Sequence, residues 1–292
     1  MTKLAEKLAI LIPTRNRASI LATTLGDLAK NGFAGVPLWV YDDCSTDADA
    51  IKKVVERWPG GSVIRGQVRA GQAKGRNVLM EACGREFGLL IDDDSIPASA
   101  LAVEELLAKP FPANRAIVTC QYLDVPTERY STRRELGEGP VGTFQGGGSL
   151  FHIPTVMRLG GFRNFFVYGY EEPELSMRIQ MNGYEIWYDP SFLVRHYHFE
   201  TPNEQRNESE YDYLYARNSI LMSSLNMPLW LGLPQGLARS VRRSFFRRRN
   251  AWSKIRGTVA GIRDTFVFWN SRKPATSAQA LAWIRFSKTC LR

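Results

Sequence analysis

The sequence has few of the features that build disulfide frameworks, zinc sites or secretory leaders. Its four cysteines, Cys44, Cys83, Cys120 and Cys290, are widely scattered, and none has the spacing of a metal-binding pair. We therefore expect reduced thiols in a cytosolic protein. The first apolar run covers only residues 8–12, which is too short for a signal peptide. A Walker-type phosphate loop is also missing from the 292 residues.

Acidic residues are almost absent from the last quarter of the chain. Residues 216–292 contain fifteen Lys and Arg but a single acid, Asp264, which gives this region a net charge of +14. Residues 1–215 contain twenty-three basic and twenty-eight acidic residues, a net charge of −5, so the overall charge is +9. This asymmetry predicts an acidic body with a basic C-terminal region, and it favours an anionic partner for that region.

Short apolar runs alternate with helical patterns through the first hundred residues. Residues 8–12, 36–41, 62–68 and 89–91 predict buried strands, and each run is followed by a polar segment. Helical spacing of apolar residues, or a helix cap such as Asp47, follows these segments. Strands that alternate with helices and end in polar residues are typical of a doubly wound α/β sheet.

The pattern continues beyond residue 98 with strands and one long loop. Residues 116–122, 185–188 and 192–197 predict three further strands. Residues 123–149 predict a long loop that ends in three glycines, and a loop of this length in a compact domain is more often functional than not.

A helix is predicted after residue 172. Pro173 fits its first position and Gly183 fits the residue just past its end. Glu171 and Glu172 would then lie at the N-terminus, where the helix dipole favours negative charge. A structural role as N-terminal helix acids is the alternative to a chemical one.

Three consecutive carboxylates, Asp92, Asp93 and Asp94, follow the strand at residues 89–91. Three adjacent like charges repel one another unless a cation or a binding partner offsets them. Oxygen ligands at the end of a strand suit Mg²⁺ or Mn²⁺ that holds a substrate phosphate. An acidic turn that caps the next helix is the alternative interpretation.

Six short segments occur in an order that is typical of one enzyme family. They are Ile12-Pro13-Thr14-Arg15-Asn16-Arg17, Tyr41-Asp42-Asp43-Cys44-Ser45-Thr46-Asp47, Gly71-Gln72-Ala73-Lys74-Gly75-Arg76-Asn77, Leu90-Ile91-Asp92-Asp93-Asp94, Gly160-Gly161-Phe162 and Glu171-Glu172-Pro173-Glu174-Leu175-Ser176-Met177-Arg178. Together they resemble the successive signatures of family 2 glycosyltransferases with the GT-A fold, over roughly residues 8–200.

This resemblance implies an α/β GT-A domain, a Rossmann-like nucleotide-diphospho-sugar transferase fold, over residues 1–215. Residues 1–97 would form the nucleotide-sugar-binding half and residues 98–215 the acceptor-binding half. Residues 216–292 would form a basic, mainly helical extension.

The resemblance also implies which residues hold the nucleoside. Asp42 or Asp43 would accept a hydrogen bond from the N3–H of uracil or thymine, and the family pattern favours Asp43. Pro13, Thr14 and Arg15 would form the other wall of the nucleoside pocket.

The diphosphate end of the donor would lie on the next two segments. Gly71 would allow close backbone approach, and Arg76 would reach the base or a phosphate. Asp92 would contact the ribose or the metal, with Asp93 beside it, and Asp94 would be the principal ligand of Mg²⁺ or Mn²⁺. Which two of the three acids bind metal stays open from the sequence.

The resemblance places the remaining candidates in the second half. His196 would help to hold the metal or the diphosphate, and a satisfied core histidine is the alternative. The family base is a carboxylate of a Glu-Asp pair, so Glu172 stands where Asp is more usual and Glu171 remains a second candidate. The base would deprotonate an acceptor hydroxyl for direct attack on the anomeric carbon, with inversion.

The resemblance therefore predicts an inverting hexosyl or deoxyhexosyl transferase that uses a UDP- or dTDP-sugar. The acceptor would be a glycan or a lipid-linked precursor, as in bacterial surface polysaccharide synthesis. A nucleotidyltransferase is one alternative, and a non-catalytic sugar-nucleotide-fold protein with a nucleic-acid-binding tail is another.

The basic C-terminal region predicts a membrane partner. Residues 220–238 are apolar but interrupted by Asn226, Pro228 and Pro234, so they are poorly suited to span a bilayer. Because arginines and aromatic residues follow, residues 220–256 predict monotopic attachment to an anionic membrane, with the protein cytoplasmic and peripheral on the inner face of the plasma membrane. Nucleic acid is a less favoured partner for the same arginines, and a helical cap packed on the catalytic domain is the structural alternative.

Overall fold

A computed structural model describes residues 3–130, 137–199, 207–246 and 250–290 of the chain, in which strands alternate with helices. The strands are β1 (Leu8–Thr14), β2 (Leu38–Asp42), β3 (Gly61–Arg65), β4 (Phe87–Ile91), β5 (Ser95–Pro97), β6 (Arg115–Asp124), β7 (Arg129–Tyr130), β8 (Gly139–Pro140), β9 (Gly148–His152) and β10 (Glu185–His196). The helices are α1 (Lys3–Lys7), α2 (Ala18–Leu28), α3 (Ala48–Val55), α4 (Gln72–Ala82), α5 (Ala100–Ala108), α6 (Ile153–Arg158), α7 (Glu171–Met181), α8 (Glu208–Asn226), α9 (Leu229–Phe246), α10 (Ala251–Val267) and α11 (Ser277–Cys290). A π-helical segment (Ala29–Phe33) extends α2, and a 3₁₀ turn (Trp269–Ser271) follows α10.

The strands form one mixed sheet in the order β3-β2-β1-β4-β9-β6-β10-β5, with β7 beside β6 and β8 beside β10. Strands β3, β2, β1 and β4 are parallel, whereas β9 runs antiparallel to both β4 and β6. The four strands predicted in the first hundred residues are confirmed, with ends that differ by a few residues. Because these four are parallel, the polar segments that follow β1, β2 and β4 emerge at the same edge of the sheet.

The core lies on both faces of this sheet. Strand β1 is buried along its whole length, and alternate side chains point to opposite faces. Ile10 and Ile12 belong to one apolar cluster together with Leu21 of α2. Leu11 belongs to a second cluster together with Leu79 of α4. Helices therefore cover both faces, as the predicted α/β layering requires.

Two local predictions are wrong in detail. Residues 185–188 and 192–197 are parts of one strand, β10, which crosses a register irregularity between Asp189 and Leu193. Pro190 lies within this irregularity, outside regular pairing, and the sequence pattern there predicts two separate strands. Helix α7 begins at Glu171 rather than at Pro173, so the proline lies at its third residue. The first N–H groups of a helix lack internal partners, so proline is tolerated there.

The predicted cap of α3 is confirmed, since the Asp47 side chain accepts a hydrogen bond from the backbone N–H of Ala50. The helix ends at Val55. Helix α7 ends at Met181, close to the end predicted from Gly183. This glycine has a positive φ of 80°, a backbone conformation that is common just past a helix end.

The C-terminal region is helical, as predicted, and its first long helix packs inside the protein. The predicted boundary at 215/216 lies within α8, which is continuous there. Residues 216–227 are buried, and Leu221 and Leu225 share an apolar cluster with Phe166. Much of the apolar run at residues 220–238 is therefore covered by protein. Among the described residues, every helix is too short or too polar to cross a bilayer.

A buried ion pair fixes α8 to α10. Arg217 Nε donates to Asp264 Oδ2 at 2.6 Å, and Arg217 Nη1 donates to the Phe165 carbonyl at 3.0 Å. The neighbouring Asn218 donates to the carbonyls of Tyr168 and Gly169 at 3.0 and 2.8 Å. The C-terminal helices therefore hold the loop that leads into α7.

This ion pair predicts a strong dependence of stability on Asp264. Replacing it in the variant Asp264→Asn leaves Arg217 buried without a compensating charge, which costs about 3 kcal/mol of unfolding free energy. Chemical denaturation measures the change. Arg263 contacts the same carboxylate from the surface, so Arg263→Gln is the matched control and should have a much smaller effect. Equal losses in the two variants would show that the buried pair has no special role.

Candidate active site

Three buried or half-buried polar segments meet at the carboxyl edge of the parallel strands. Thr14 ends β1, Asp42 ends β2, and the acidic run begins directly after β4. The backbone N–H of Asp43 donates to the Thr14 carbonyl at 2.9 Å, which ties the first two segments together. The structure thus brings the residues that were predicted to bind the nucleotide sugar to one edge of the sheet.

Asp93 points into the protein rather than into the cleft. Its carboxylate accepts a hydrogen bond from Thr14 Oγ1 at 2.6 Å and another from Arg17. Burial raises the pKa of Asp93 to about 7, although Arg17 and Thr14 both favour its charged form. The Asp93 side chain therefore fixes the acidic run to the end of β1 and the segment that follows it.

Asp94 is held between two cationic or potentially cationic groups. Arg17 Nη2 donates to it at 2.8 Å, and His196 Nε2 lies 3.2 Å from its other oxygen. Burial alone would raise the pKa of Asp94, but the hydrogen bonds from His196 and Arg17 outweigh it and lower that pKa to about 2. Asp94 is consequently an anion at any physiological pH.

Arg17 is a site residue to which the sequence analysis gave no role. Besides Asp93 and Asp94, its guanidinium donates to the Phe199 carbonyl at 2.8 Å. It therefore connects the segment after β1, the acidic run and the segment after β10. The available signal was a second arginine just beyond β1 in a fold whose neighbouring strand ends in three acids.

Asp92 is the carboxylate of the run that faces the opening. Its side chain is 25% exposed, and Arg76 donates to it at 3.1 Å. Arg76 is almost completely buried, and its other terminal nitrogen lies 3.7 Å from Glu172. The structure places the Arg76 guanidinium between two carboxylates, one from each half of the predicted domain.

The two predicted base candidates at the start of α7 differ in exposure. The Glu172 side chain is 31% exposed, whereas Glu171 is buried and its Oε2 atom has no hydrogen-bond partner. Burial by neighbouring protein atoms raises the pKa of Glu172 to about 8, and repulsion by Glu171 adds to the rise. Burial also raises the pKa of Glu171, against the opposing effect of Arg76. Glu172 therefore holds a proton near neutral pH, and the pKa of Glu171 is shifted in the same direction.

Two of the three loop glycines are required by close contacts to these side chains. A Cβ at Gly146 would overlap the Glu172 carboxylate and lie 2.7 Å from the Arg76 guanidinium. A Cβ at Gly147 would lie 2.7 Å from the Asp92 carboxylate and from the Tyr122 hydroxyl. The loop backbone thus forms one wall of the cleft.

The residues predicted to hold the nucleoside lie together, and the acids among them bind backbone groups. Asp43 accepts hydrogen bonds from the N–H groups of Ala70 and Gly71 at 2.7 and 3.0 Å. Asp42 is buried and accepts from the Ser45 N–H at 2.9 Å. These contacts shape the turn after β2 and position the loop that ends at Gly71.

The other predicted wall of this pocket lies at the end of β1. Pro13 is buried and aligned with Tyr41 of β2, and Arg15 is partly exposed just beyond the strand. Gly71, across from them, approaches the second half of the chain: a Cβ there would lie 2.5 Å from the Val167 carbonyl. The two halves are therefore in contact at this point.

His196 contacts carboxylates on two sides. On one side lies Asp94. On the other is a cluster with Asp124 and His198, in which the potential ligand atoms lie within 4.8 Å of one another. His198 Nε2 lies 2.6 Å from the Asp124 carboxylate, and the His196 Nδ1 atom is buried without a hydrogen-bond partner. The rings of the two histidines lie close together, with centroids 3.7 Å apart.

The charges of the cleft are unequal. Two arginines, Arg17 and Arg76, face five carboxylates, which are Asp92, Asp93, Asp94, Glu171 and Glu172. Such an excess of negative charge repels an anionic ligand unless protons or a cation offset it. The donor set of carboxylate oxygens with an imidazole fits Mg²⁺ or Mn²⁺.

Three solved structures are similar to this fold at low sequence identity. The mannosyltransferase PcManGT from Pyrobaculum calidifontis, in complex with GDP-Man and Mn²⁺, gives a TM-score of 0.56 at 15% identity, over 97% of this chain and 87% of that one. GalNAc-T7 with UDP, GalNAc and Mn²⁺ gives 0.64 at 12% identity, over 92% of this chain but only 58% of its own. TarS from S. aureus with UDP-GlcNAc gives 0.63 at 19% identity, over 91% and 82%.

The similarity to these proteins establishes the GT-A fold, as the sequence analysis predicted. No curated protein sequence is significantly similar to the chain. Residues 9–173, which are more than half of the chain, match the family described as Glycosyl transferase family 2. The chain therefore belongs to glycosyl transferase family 2.

Proposed function

We propose that the protein transfers a sugar from a nucleotide-diphosphate sugar to a hydroxyl group of a glycan or lipid-linked acceptor, with inversion at the anomeric carbon. The observation that carries this proposal is the position of Arg76 between Asp92 and Glu172. It brings a carboxylate suited to the leaving diphosphate and a carboxylate suited to proton abstraction into one cleft. The family match favours sugar transfer over nucleotidyl transfer.

Asp92, Asp94 and His196 are the residues that we assign to a divalent cation, Mg²⁺ or Mn²⁺. The exposure of Asp92 and the contact between Asp94 and His196 support this choice, whereas Asp93 is buried and both of its oxygens accept hydrogen bonds, from Thr14 and Arg17. The bound cation would offset the charge that develops on the leaving diphosphate. Arg17 would keep Asp94 ionised and oriented before the donor binds.

Glu172 is the residue that we assign as the general base. Its exposure exceeds that of Glu171, and its raised pKa brings its basicity closer to that of the acceptor hydroxyl. Its deprotonated form is the active one, so transfer should increase as the pH rises toward and past that pKa. Glu171 would contribute to the raised pKa through charge repulsion.

The nucleoside would lie between Asp43 and the end of β1, with UDP or dTDP as the favoured carrier. The Ala70 and Gly71 N–H groups orient the Asp43 carboxylate and still leave lone pairs for the N3–H of a pyrimidine. Similar structures contain different nucleotides, UDP in GalNAc-T7 and GDP-Man in PcManGT, so the identity of the nucleobase requires a direct binding experiment.

The metal assignment predicts the behaviour of Asp94→Asn. This change removes a charged ligand with little change of shape, so Mn²⁺-dependent thermal protection by UDP or dTDP should be lost. Thermal shift with UDP, dTDP and GDP, each with and without Mn²⁺, provides the measurement and also identifies the nucleobase that the protein prefers.

The matched control for this experiment is Asp124→Asn, because Asp124 belongs to the other group that contains His196. We expect it to retain cation-dependent protection. Loss in Asp124→Asn with retention in Asp94→Asn would move the cation to the cluster with His198.

The base assignment predicts that Glu172→Gln binds donor almost normally but transfers sugar about 10²–10⁴-fold more slowly. Single-turnover rates and donor affinity separate the two effects. The neighbouring variant Glu171→Gln should lose less activity. The reverse order of the two variants would identify Glu171 as the base.

The contacts of Gly146 predict that Gly146→Ala reduces transfer more than it reduces stability. The added methyl group must displace the Glu172 carboxylate or the Arg76 guanidinium, so about 10²-fold of activity should be lost. Kinetics and thermal melting measure both effects. Gly139→Ala is the control, since its Cβ would meet nothing within 4 Å, and equal activity of the two variants would contradict the role of the loop.

A further inference from the structure

Large apolar side chains are exposed mainly in the C-terminal helices. Among the described residues, most of the exposed Trp, Phe, Ile, Leu and Val side chains lie between residues 230 and 281. Scattered exposed hydrophobic residues are normal, but a concentration of them in one region marks an interaction surface.

Helix α10 has its large apolar side chains on the outside. Trp252, Ile255, Val259 and Phe266 are between 54% and 70% exposed. At about 100° per residue they fall within an arc of about 60° on the helix. They therefore form one continuous stripe, which we call the α10 stripe.

The opposite side of α10 carries small residues and packs on α8. A Cβ at Gly257 would overlap the Tyr213 carbonyl, and a Cβ at Gly261 would lie 2.7 Å from the Arg217 carbonyl. Ala260 is buried as well. This arrangement is the reverse of a normal surface helix, whose large apolar residues face the core. Packing within the chain therefore does not account for the stripe.

The charges around the stripe favour an anionic occupant. Arg256 and Arg263 are exposed on the same side of α10. The single acid of residues 216–292, Asp264, is buried and contacts both Arg217 and Arg263, so it offsets part of the Arg263 charge while the region as a whole keeps its net charge of +14. A second copy of the chain would bring a region of +14 against another of +14, which repel each other.

An anionic bilayer surface matches both properties of this face. Its headgroup phosphates pair with arginines, and its acyl boundary accepts the tryptophan, phenylalanine and aliphatic side chains. The polyanionic backbone of a nucleic acid would match the arginines but would leave Ile255 and Val259 without a partner.

The 3₁₀ turn extends the same chemistry beyond α10. Trp269 and Val267 are exposed, whereas Phe268 is stacked on Phe165 with ring centroids 4.0 Å apart. Further along the chain, Trp283 of α11 is buried and lies outside this surface. The contacting surface is thus narrower than the predicted region of residues 220–256 and displaced toward α10.

We propose that the protein docks on an anionic lipid bilayer through the α10 stripe, with Arg256 at the lipid phosphates. This attachment does not depend on the transferase assignment, because it concerns a different surface. It would also bring a lipid-linked acceptor near the site, since α8 carries both α10 and the Asn218 contacts that hold the loop before Glu171.

The test is co-sedimentation of the full-length protein with phosphatidylcholine vesicles with and without phosphatidylglycerol. We expect binding only to the anionic vesicles, and weaker binding at high salt. The double variant Trp252→Ser, Val259→Ser should bind about tenfold or more weakly. Arg256→Gln should weaken binding to anionic vesicles by a smaller factor.

Leu101→Ser is the matched control, because Leu101 is a similarly exposed apolar residue on α5, outside the C-terminal helices. It should bind vesicles as the unchanged protein does. Thermal melting of each variant checks that the fold is retained, which these exposed positions should allow. Equal binding of the double variant and the unchanged protein would overturn the proposal, as would absence of binding to anionic vesicles. A dimer in sedimentation velocity that disappears in the double variant would assign the stripe to a second copy instead.

Discussion

The buried guanidinium of Arg76 is the constraint on which the site depends. A charged group removed from water is strongly unfavourable unless opposite charges compensate for it. Here Asp92, after β4, supplies a negative charge, and Glu172, at the start of α7 in the opposite half of the body, lies 3.7 Å from the guanidinium and supplies another when it is deprotonated. Loss of either carboxylate would leave Arg76 with less compensation, so the two halves are electrostatically coupled. The geometry of the cleft is consequently set before any donor arrives.

Close packing around this triad explains the loop that precedes β9. Gly146 and Gly147 lie so close to the charged side chains that any Cβ would displace them. The loop excludes water from one side of Glu172 and Asp92, which strengthens every charge interaction there. Burial raises the pKa of Glu172 and, separately, that of Asp93, whereas the contacts with His196 and Arg17 keep Asp94 ionised. Neighbouring carboxylates of identical type thereby acquire different protonation behaviour.

The C-terminal helices serve the site and the surface at the same time. On the inside, Arg217 and Asn218 of α8 bind the backbone of the loop that leads to α7. On the outside, α10 presents large apolar residues, whereas its buried side carries glycine, alanine and polar residues that pack on or bind α8. Glycine and alanine permit the close approach of α10 to α8, and the large apolar residues of α10 lie on its exposed side. A region that the composition describes only as basic is therefore divided into a side that packs on the protein and an exposed side with large apolar residues.

The sequence by itself determined the parallel strands, the cap at Asp47, the position of the acidic run and the family, because periodicity, capping and motif order are local properties of the chain. Only the tertiary structure decided which partner each charge has. Arg17 and Arg76 are alike in sequence, yet one binds Asp93 and Asp94 while the other bridges to Glu172.

The same distinction applies to burial. Hydropathy marked residues 220–238 as apolar but could not indicate that α8 would be covered by protein while the outer face of α10 would not. Hydropathy also predicted two strands where the structure has one, β10. The pairing of this strand on both sides of the bulge is supplied by β6, which lies about seventy residues earlier in the chain and is not visible in the local pattern. Partner choice and coverage depend on contacts between distant residues, and those exist only once the chain has folded.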